Sequence, residues 1–270
     1  MARERNARRA AELLERPLTA RSVIASLLLG RHPPSAPVAL LVRWCALFGI
    51  SDSSARVALS RMVERGELEA RRGTYELAGR VRARQGDQDF ALAPALRDWD
   101  GGWRMAVVGD GPRAATDRIA LRAALTRSRM VPLRDAAWVR PDNLGAGAVG
   151  TADAAVVAAQ CTSWIARPAG PREEAAVRDE VLRRFAVAEH ERRGRLLLDH
   201  LRAATDGLPS TEALAGAFVA GAAVAQHLRR DPLLPAELLP GGWHGGDLRT
   251  AYQGYLRAFS PAVAAWARGG

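Results

Sequence analysis

Between residues 19 and 66, apolar side chains recur three or four apart in three separate runs. That is the spacing of helices with one buried face. The first run, 19–30, places Val23, Ile24, Leu27 and Leu28 on one side, with Thr19 as its N-cap and Gly30 as its stop. After a His32-Pro33-Pro34-Ser35 connector, a second run from Pro37 to about Phe48 turns Leu40, Leu41, Trp44 and Leu47 inward. The third opens at Ser51, whose hydroxyl can cap free N–H groups while Asp52 suits the positive end of the helix dipole. Ala55, Ala58, Leu59, Met62 and Val63 share one face at helical spacing, Ser53, Arg56, Val57, Ser60 and Arg61 lie on the opposite face, and Gly66 ends the helix. The segment ELEARRGTYEL then predicts two short strands around an Arg71-Arg72-Gly73-Thr74 tip.

Further along, residues 82–98 read as a polar linker. A strand over Trp103–Val108, a helix over Ala114–Arg129, a strand over Met130–Val139 and a last strand over Ala154–Trp164 predict a small α+β layer. From Pro171 the pattern is helical, through Val177, Val181, Leu182, Phe185 and Ala188. A further helix is capped by Ser210 and stopped at Asp231-Pro232, and a final one lies around Tyr252, Tyr255, Leu256 and Phe259. No apolar run is long enough for a membrane helix, and the N-terminus lacks the apolar core of a secretory signal, so a cytoplasmic location is expected.

Three helices and a hairpin, in that order and with a short Gly49 turn before the third helix, predict a winged helix-turn-helix. Charge sharpens the picture. The net charge is +10, every basic residue is Arg, and residues 1–84 hold 16 Arg against 8 acids. A basic excess concentrated in one module favours a polyanionic partner such as nucleic acid. Ser53, Ser54, Arg56, Val57, Ser60 and Arg61 have the chemistry of a helix reading a major groove: small hydroxyls, guanidinium forks and a methyl-bearing side chain for thymine. Arg71 and Arg72 would meet the DNA backbone or minor groove. Arg3, Arg5, Arg8 and Arg9 form a basic N-terminal arm over residues 1–16.

Four blocks taken together resemble the PaaX family of bacterial transcriptional regulators: GISDSSARVALSRMVERGELEARRGTYEL, WDGGWRMAVV, AAWVRPDNL and HLRRDPLLPAELLPGGW, the last followed by the Tyr252 and Tyr255 helix. The resemblance runs from about Pro17 to Trp266. It implies an α+β multidomain chain: a winged helix-turn-helix over 17–85, a Cas2-like ferredoxin-fold domain over 98–170 and a helical C-terminal domain over 171–270. It also implies a homodimer that represses a catabolic operon, and the two-fold symmetry of such a dimer leads to the expectation of an inverted-repeat site in double-stranded DNA. The founding type of the family responds to phenylacetyl-coenzyme A. An acyl-coenzyme A effector would need guanidinium groups beside an apolar cleft. Arg229 and Arg230, or Arg183 and Arg184, are the candidates, with His227 in support.

Other chemistry is weaker. Cys45 and Cys161 belong to no paired-cysteine motif, so neither a disulfide framework nor a zinc site is expected. Gly145, Gly147 and Gly150 spell GxGxxG, but Pro141-Asp142-Asn143 precedes them where a dinucleotide site needs a strand, and a glycine loop is the reading. Asp110 stands where Cas2-like nucleases place a metal-binding Asp, but no companion acids cluster with it in sequence. No catalytic residue, metal or cofactor is expected. A metal-dependent nuclease centred on Asp110 and a winged-helix assembly module that does not bind DNA are the alternatives.

Overall fold

A computed structural model describes residues 13, 14, 17–208 and 210–269, so the Arg residues of the N-terminal arm lie outside the described residues. The chain divides into two compact units. The first comprises Met1–Leu92, Gly194–Arg230 and His244–Gly270, and the second Ala93–Arg193 and Asp231–Trp243. Residues 171–270 are thus shared between the two.

In the first unit, α1 (Ala20–Leu29) starts at a capping box, in which Thr19 and Ser22 each bond the other's backbone N–H. Next come β1 (Ser35–Pro37), α2 (Val38–Ala46) and α3 (Asp52–Glu64), the last capped by the Ser51 hydroxyl. The wing is β2 (Leu68–Arg71) and β3 (Thr74–Leu77), and the sheet order is β1-β3-β2, antiparallel throughout. The two turn residues, Arg72 and Gly73, both have positive φ, as a tight type I′ hairpin requires.

The expected linker is different. Residues 79–92 form α4 (Gly79–Leu92). Its buried stripe is Val81, Gln85, Gln88 and Ala91, at helical spacing but half amide, so the apolar period is hidden. Gln85 Nε2 donates to the carbonyls of Leu29 (3.3 Å) and Arg31 (2.9 Å), at and just past the C-terminus of α1. The same unit holds α8 (Val187–Asp206) from Gly194 onward, α9 (Thr211–Arg229) and α10 (Gly245–Arg268). One apolar cluster runs through α1–α4 and these helices. At its centre Trp44 of α2 meets Phe218, Phe259 and Trp266 edge-on, with ring centroids 5.4, 5.9 and 5.4 Å away.

In the second unit, β4 (Trp103–Val108), α5 (Ala115–Arg127), β5 (Val131–Arg134), β6 (Ala137–Pro141), α6 (Thr151–Gln160) and β7 (Cys161–Ala166) follow one another. That is the β-α-β-β-α-β order of a ferredoxin-like layer, with antiparallel strands ordered β5-β6-β4-β7. The strand expected over 154–164 is therefore two elements. The Ala-rich run has no buried residue to betray a helical period, so α6 was illegible, and the true strand begins at Cys161. One sheet face packs Ala106 and Trp138 against Leu121 and Leu125 of α5. The other packs Trp103, Val131 and Val139 against α7 (Pro171–Arg184) and Leu234 and Leu238.

A buried guanidinium organises this unit. Arg140 donates through Nε to the Pro141 carbonyl (2.9 Å) and through Nη1 to the carbonyls of Ser128 and Arg129 (both 3.4 Å). Its Nη2 reaches Asn143 Oδ1 (2.7 Å) and the Leu233 carbonyl (3.3 Å). Burial, reinforced by the Arg129 charge, pushes Arg140 down to about 9, so it stays cationic at neutral pH.

Candidate nucleic-acid interface

The exposed face of α3 is set by helical geometry. Ala55, Leu59 and Met62 are buried, which turns Ser53, Ser54, Arg56, Val57, Ser60 and Arg61 outward. Val57 is 49% exposed on that face, where its methyl groups are free to meet a thymine methyl. The N-terminus is organised by hydroxyls: Ser51 Oγ accepts from the Ser54 backbone N–H (3.2 Å) and donates to Ser54 Oγ (2.9 Å). Arg56 pairs with Asp52 one turn back, and Ser60 Oγ donates to Glu64 (3.2 Å). These are solvent-exposed local partners, worth little and easily exchanged for a phosphate. The bond to Asp52 raises Arg56, as that to Glu69 raises Arg71, so both are firmly cationic.

A groove of about 430 Å³ runs along this helix. It brings Ser53, Ser54, Val57 and Arg61 together with Arg65 and, from the start of α1, Thr19 and Arg21. Arg21 and Arg65 were not singled out in the sequence. Arg21 sits on a helix read only for its apolar stripe, and Arg65 follows the last helical turn. Arg71 and Arg72 lie at the exposed wing tip, Arg71 paired with Glu69 (2.7 Å). Among the described residues Arg61, Arg65 and Arg72 form no salt bridge.

The effector candidates separate. Arg229 and Arg230 border a chamber of about 730 Å³ in the first unit, a volume in the range of small-molecule sites. Tyr252, Tyr255, Phe218 and Phe259 supply apolar wall, and Arg21, Arg31 and Arg84 bring three more guanidinium groups from elements distant in sequence. Burial, then the neighbouring Arg84 charge, pushes Arg229 down to about 10. His227 is not among the residues bordering this chamber; its Nε2 lies 3.1 Å from that of His244. Arg183 and Arg184 belong to the second unit, on α7, where Glu180 holds both.

Asp110 is exposed in the turn after β4, and among the described residues it joins no group of three metal-ligating side chains. Gly145, Gly147 and Gly150 fall in the loop between β6 and α6, in an antiparallel sheet rather than the parallel βαβ unit of a dinucleotide site. A Cβ on Gly145 would lie 3.0 Å from the Ala95 carbonyl oxygen, so close backbone approach accounts for that glycine. No described helix is long and apolar enough to cross a membrane.

Two family profiles match the chain: a PaaX-like protein over residues 19–81, and the PaaX protein central Cas2-like domain over residues 96–177. A solved structure, described as the uncharacterized protein Rv0674 from Mycobacterium tuberculosis, is 38% identical. It covers 92% of this chain and 98% of its own, with a TM-score of 0.68. No curated protein matches.

Proposed function

Since the chain belongs to the PaaX family of transcriptional regulators, we propose that it is a homodimeric repressor of a catabolic operon. It binds an inverted-repeat operator and is released by a small effector such as an acyl-coenzyme A thioester. One observation carries the DNA-binding part. A capped helix presents hydroxyls, a methyl-bearing side chain and guanidinium groups on one exposed face, beside a hairpin tipped by Arg71 and Arg72. In this reading Ser53, Ser54, Val57, Ser60 and Arg61 meet base edges or nearby phosphates. Arg56 exchanges Asp52 for a phosphate, and the wing arginines hold the backbone.

The effector reading is supported by the chamber, where an apolar wall and guanidinium groups stand together. Arg229 and Arg230 are the effector candidates on that wall. The dimer reading is supported by β7. It is an edge strand with Trp164 60% and Ile165 53% exposed, and it carries no charged residue from Cys161 to Ala166 to oppose antiparallel pairing with a second copy.

The test is a fluorescence anisotropy titration of the DNA upstream of the gene and its divergent neighbours, at two salt concentrations, with and without acyl-coenzyme A thioesters. Selective, salt-sensitive binding relieved by a thioester is expected. Absence of salt-sensitive duplex binding would leave a winged-helix assembly module. Divalent-metal-dependent cleavage lost in Asp110→Ala would leave a nuclease.

A further inference from the structure

We propose that Arg21 is a relay between the chamber and the wing: an anion entering the chamber takes the Arg21 guanidinium from Glu67, and the wing loses its tie to α1. This deepens, and rests on, the reading that an anionic effector releases DNA.

The geometry sets up a competition. Arg21, in the first turn of α1, borders both the chamber and the groove along α3. It grips Glu67 with both arms of its fork, Nε to Oε2 at 2.7 Å and Nη2 to Oε1 at 2.9 Å. The pair links residues 46 apart in sequence, and its two side chains are 43% and 17% exposed. Glu67 stands where the recognition helix turns into the wing. Its backbone N–H donates to the Met62 carbonyl (2.8 Å), and its carbonyl accepts from the Ala78 N–H at the end of β3 (2.9 Å). The same junction is tightly closed, since a Cβ on Gly79 would stand 2.5 Å from the Gly66 carbonyl oxygen. The Arg21–Glu67 fork is therefore a side-chain tie from the chamber wall to the point that aims both DNA-reading elements.

The chamber is built to pull on that tie. None of the described residues bordering it is acidic, whereas Arg31, Arg84, Arg229 and Arg230 all border it. A carboxylate or phosphate inside is drawn by the summed positive field and finds in Arg21 a planar fork that fits it in two bonds. Glu67 offers the same two oxygens, so one guanidinium is contested by two anions. The apolar wall of Tyr252, Tyr255 and Phe259 accepts the ligand's uncharged body. Coupling requires only that the ligand bind the released state better than the tied one.

The test uses the full chain with octanoyl-coenzyme A, octanoate and uncharged octanamide. Ligand affinity is read by calorimetry and DNA affinity by anisotropy, in wild type, Glu67→Gln and Arg21→Gln. The two variants should move ligand affinity in opposite directions. Glu67→Gln, which removes the competing anion, should bind the anionic ligand roughly tenfold more tightly, and Arg21→Gln roughly tenfold more weakly, the size of one charge-assisted bond. Both should bind DNA more weakly and lose most of the ligand's effect on DNA. Arg21→Lys, which keeps the charge, should show the Arg21→Gln changes at smaller size, should the latter fold poorly. Octanoyl-coenzyme A against octanoate separates a phosphate from a carboxylate as the group that engages Arg21, and octanamide should bind weakly. Unchanged ligand affinity in both variants, with DNA affinity lowered, would reduce the pair to a structural brace and overturn the relay. Equal release of DNA in all three proteins would overturn it while leaving the effector intact. Failure of both anions to bind wild type would remove the effector reading and the relay together.

Discussion

Arg72 occupies a left-handed backbone conformation, φ 46°, at the tip of the wing. Outside glycine that conformation costs about 1–2 kcal/mol. The fold gains nothing from a guanidinium there that glycine or asparagine would not supply with less strain. The cost is intelligible if the charge is used elsewhere. Arg72→Gly should therefore raise thermal stability by about 1 kcal/mol while weakening DNA binding and lowering the log–log salt slope by about one. A melting curve and a salt titration of anisotropy check the two signs, and an unchanged slope would remove Arg72 from the interface. Arg140 presents the opposite case, a charge kept wholly for the fold. Arg140→Met would orphan several buried carbonyls and should cost about 3 kcal/mol in denaturant melts. Arg140→Lys should recover only part of it, because an ammonium cannot fork. The Ser and Arg residues facing outward on α3 were legible because helical period alone decides which side of a capped helix is free. Arg21 and Arg84 were not, since what brings them to one chamber with Arg229 is the folding of distant segments.

At the scale of elements, legibility followed the chemistry of the buried stripe. Helices α1 to α3 bury aliphatic and aromatic side chains at regular spacing and could be read directly. The stripe of α4 carries Gln85 and Gln88, and Gln85 is there because the end of α1 leaves carbonyls that need a donor. Gln85→Leu keeps volume but removes that donor, and should destabilise the first unit by about 1–2 kcal/mol, measurable by chemical denaturation. The contact between α9 and α10 depends on close approach of another kind. A Cβ on Gly221 would fall 2.5 Å from the Tyr255 ring. Gly221→Ala should accordingly cost about 1–3 kcal/mol, despite alanine's better helix propensity, and change the ligand affinity of the chamber that both residues border.

At the scale of the whole molecule, the family blocks explain themselves as contacts rather than as separate signatures. Arg140 and Asn143 of the third block both donate to the carbonyl of Leu233 in the fourth, 3.3 and 3.0 Å away, so segments about 90 residues apart are read as one arrangement. Oligomeric state belongs to this scale too. A charge at the exposed centre of β7 should prevent pairing between copies. Trp164→Arg is expected to sediment as a monomer and to lose affinity for a two-half-site operator while keeping weak binding to a half-site. Sedimentation velocity showing an intact dimer would place the interface elsewhere. Chain order and compact units do not coincide, which no local pattern could have announced.

The Trp44 cluster has a consequence for how the protein is made. The helices of the amino-terminal module are synthesised before the rings that enclose Trp44, which belong to residues 218, 259 and 266. On the ribosome, the second unit's strands are complete while the amino-terminal module still awaits its wall. The core around Trp44 can therefore close only once residue 266 has left the exit tunnel, and a frameshift in the final helix is a lesion of the amino-terminal module's core.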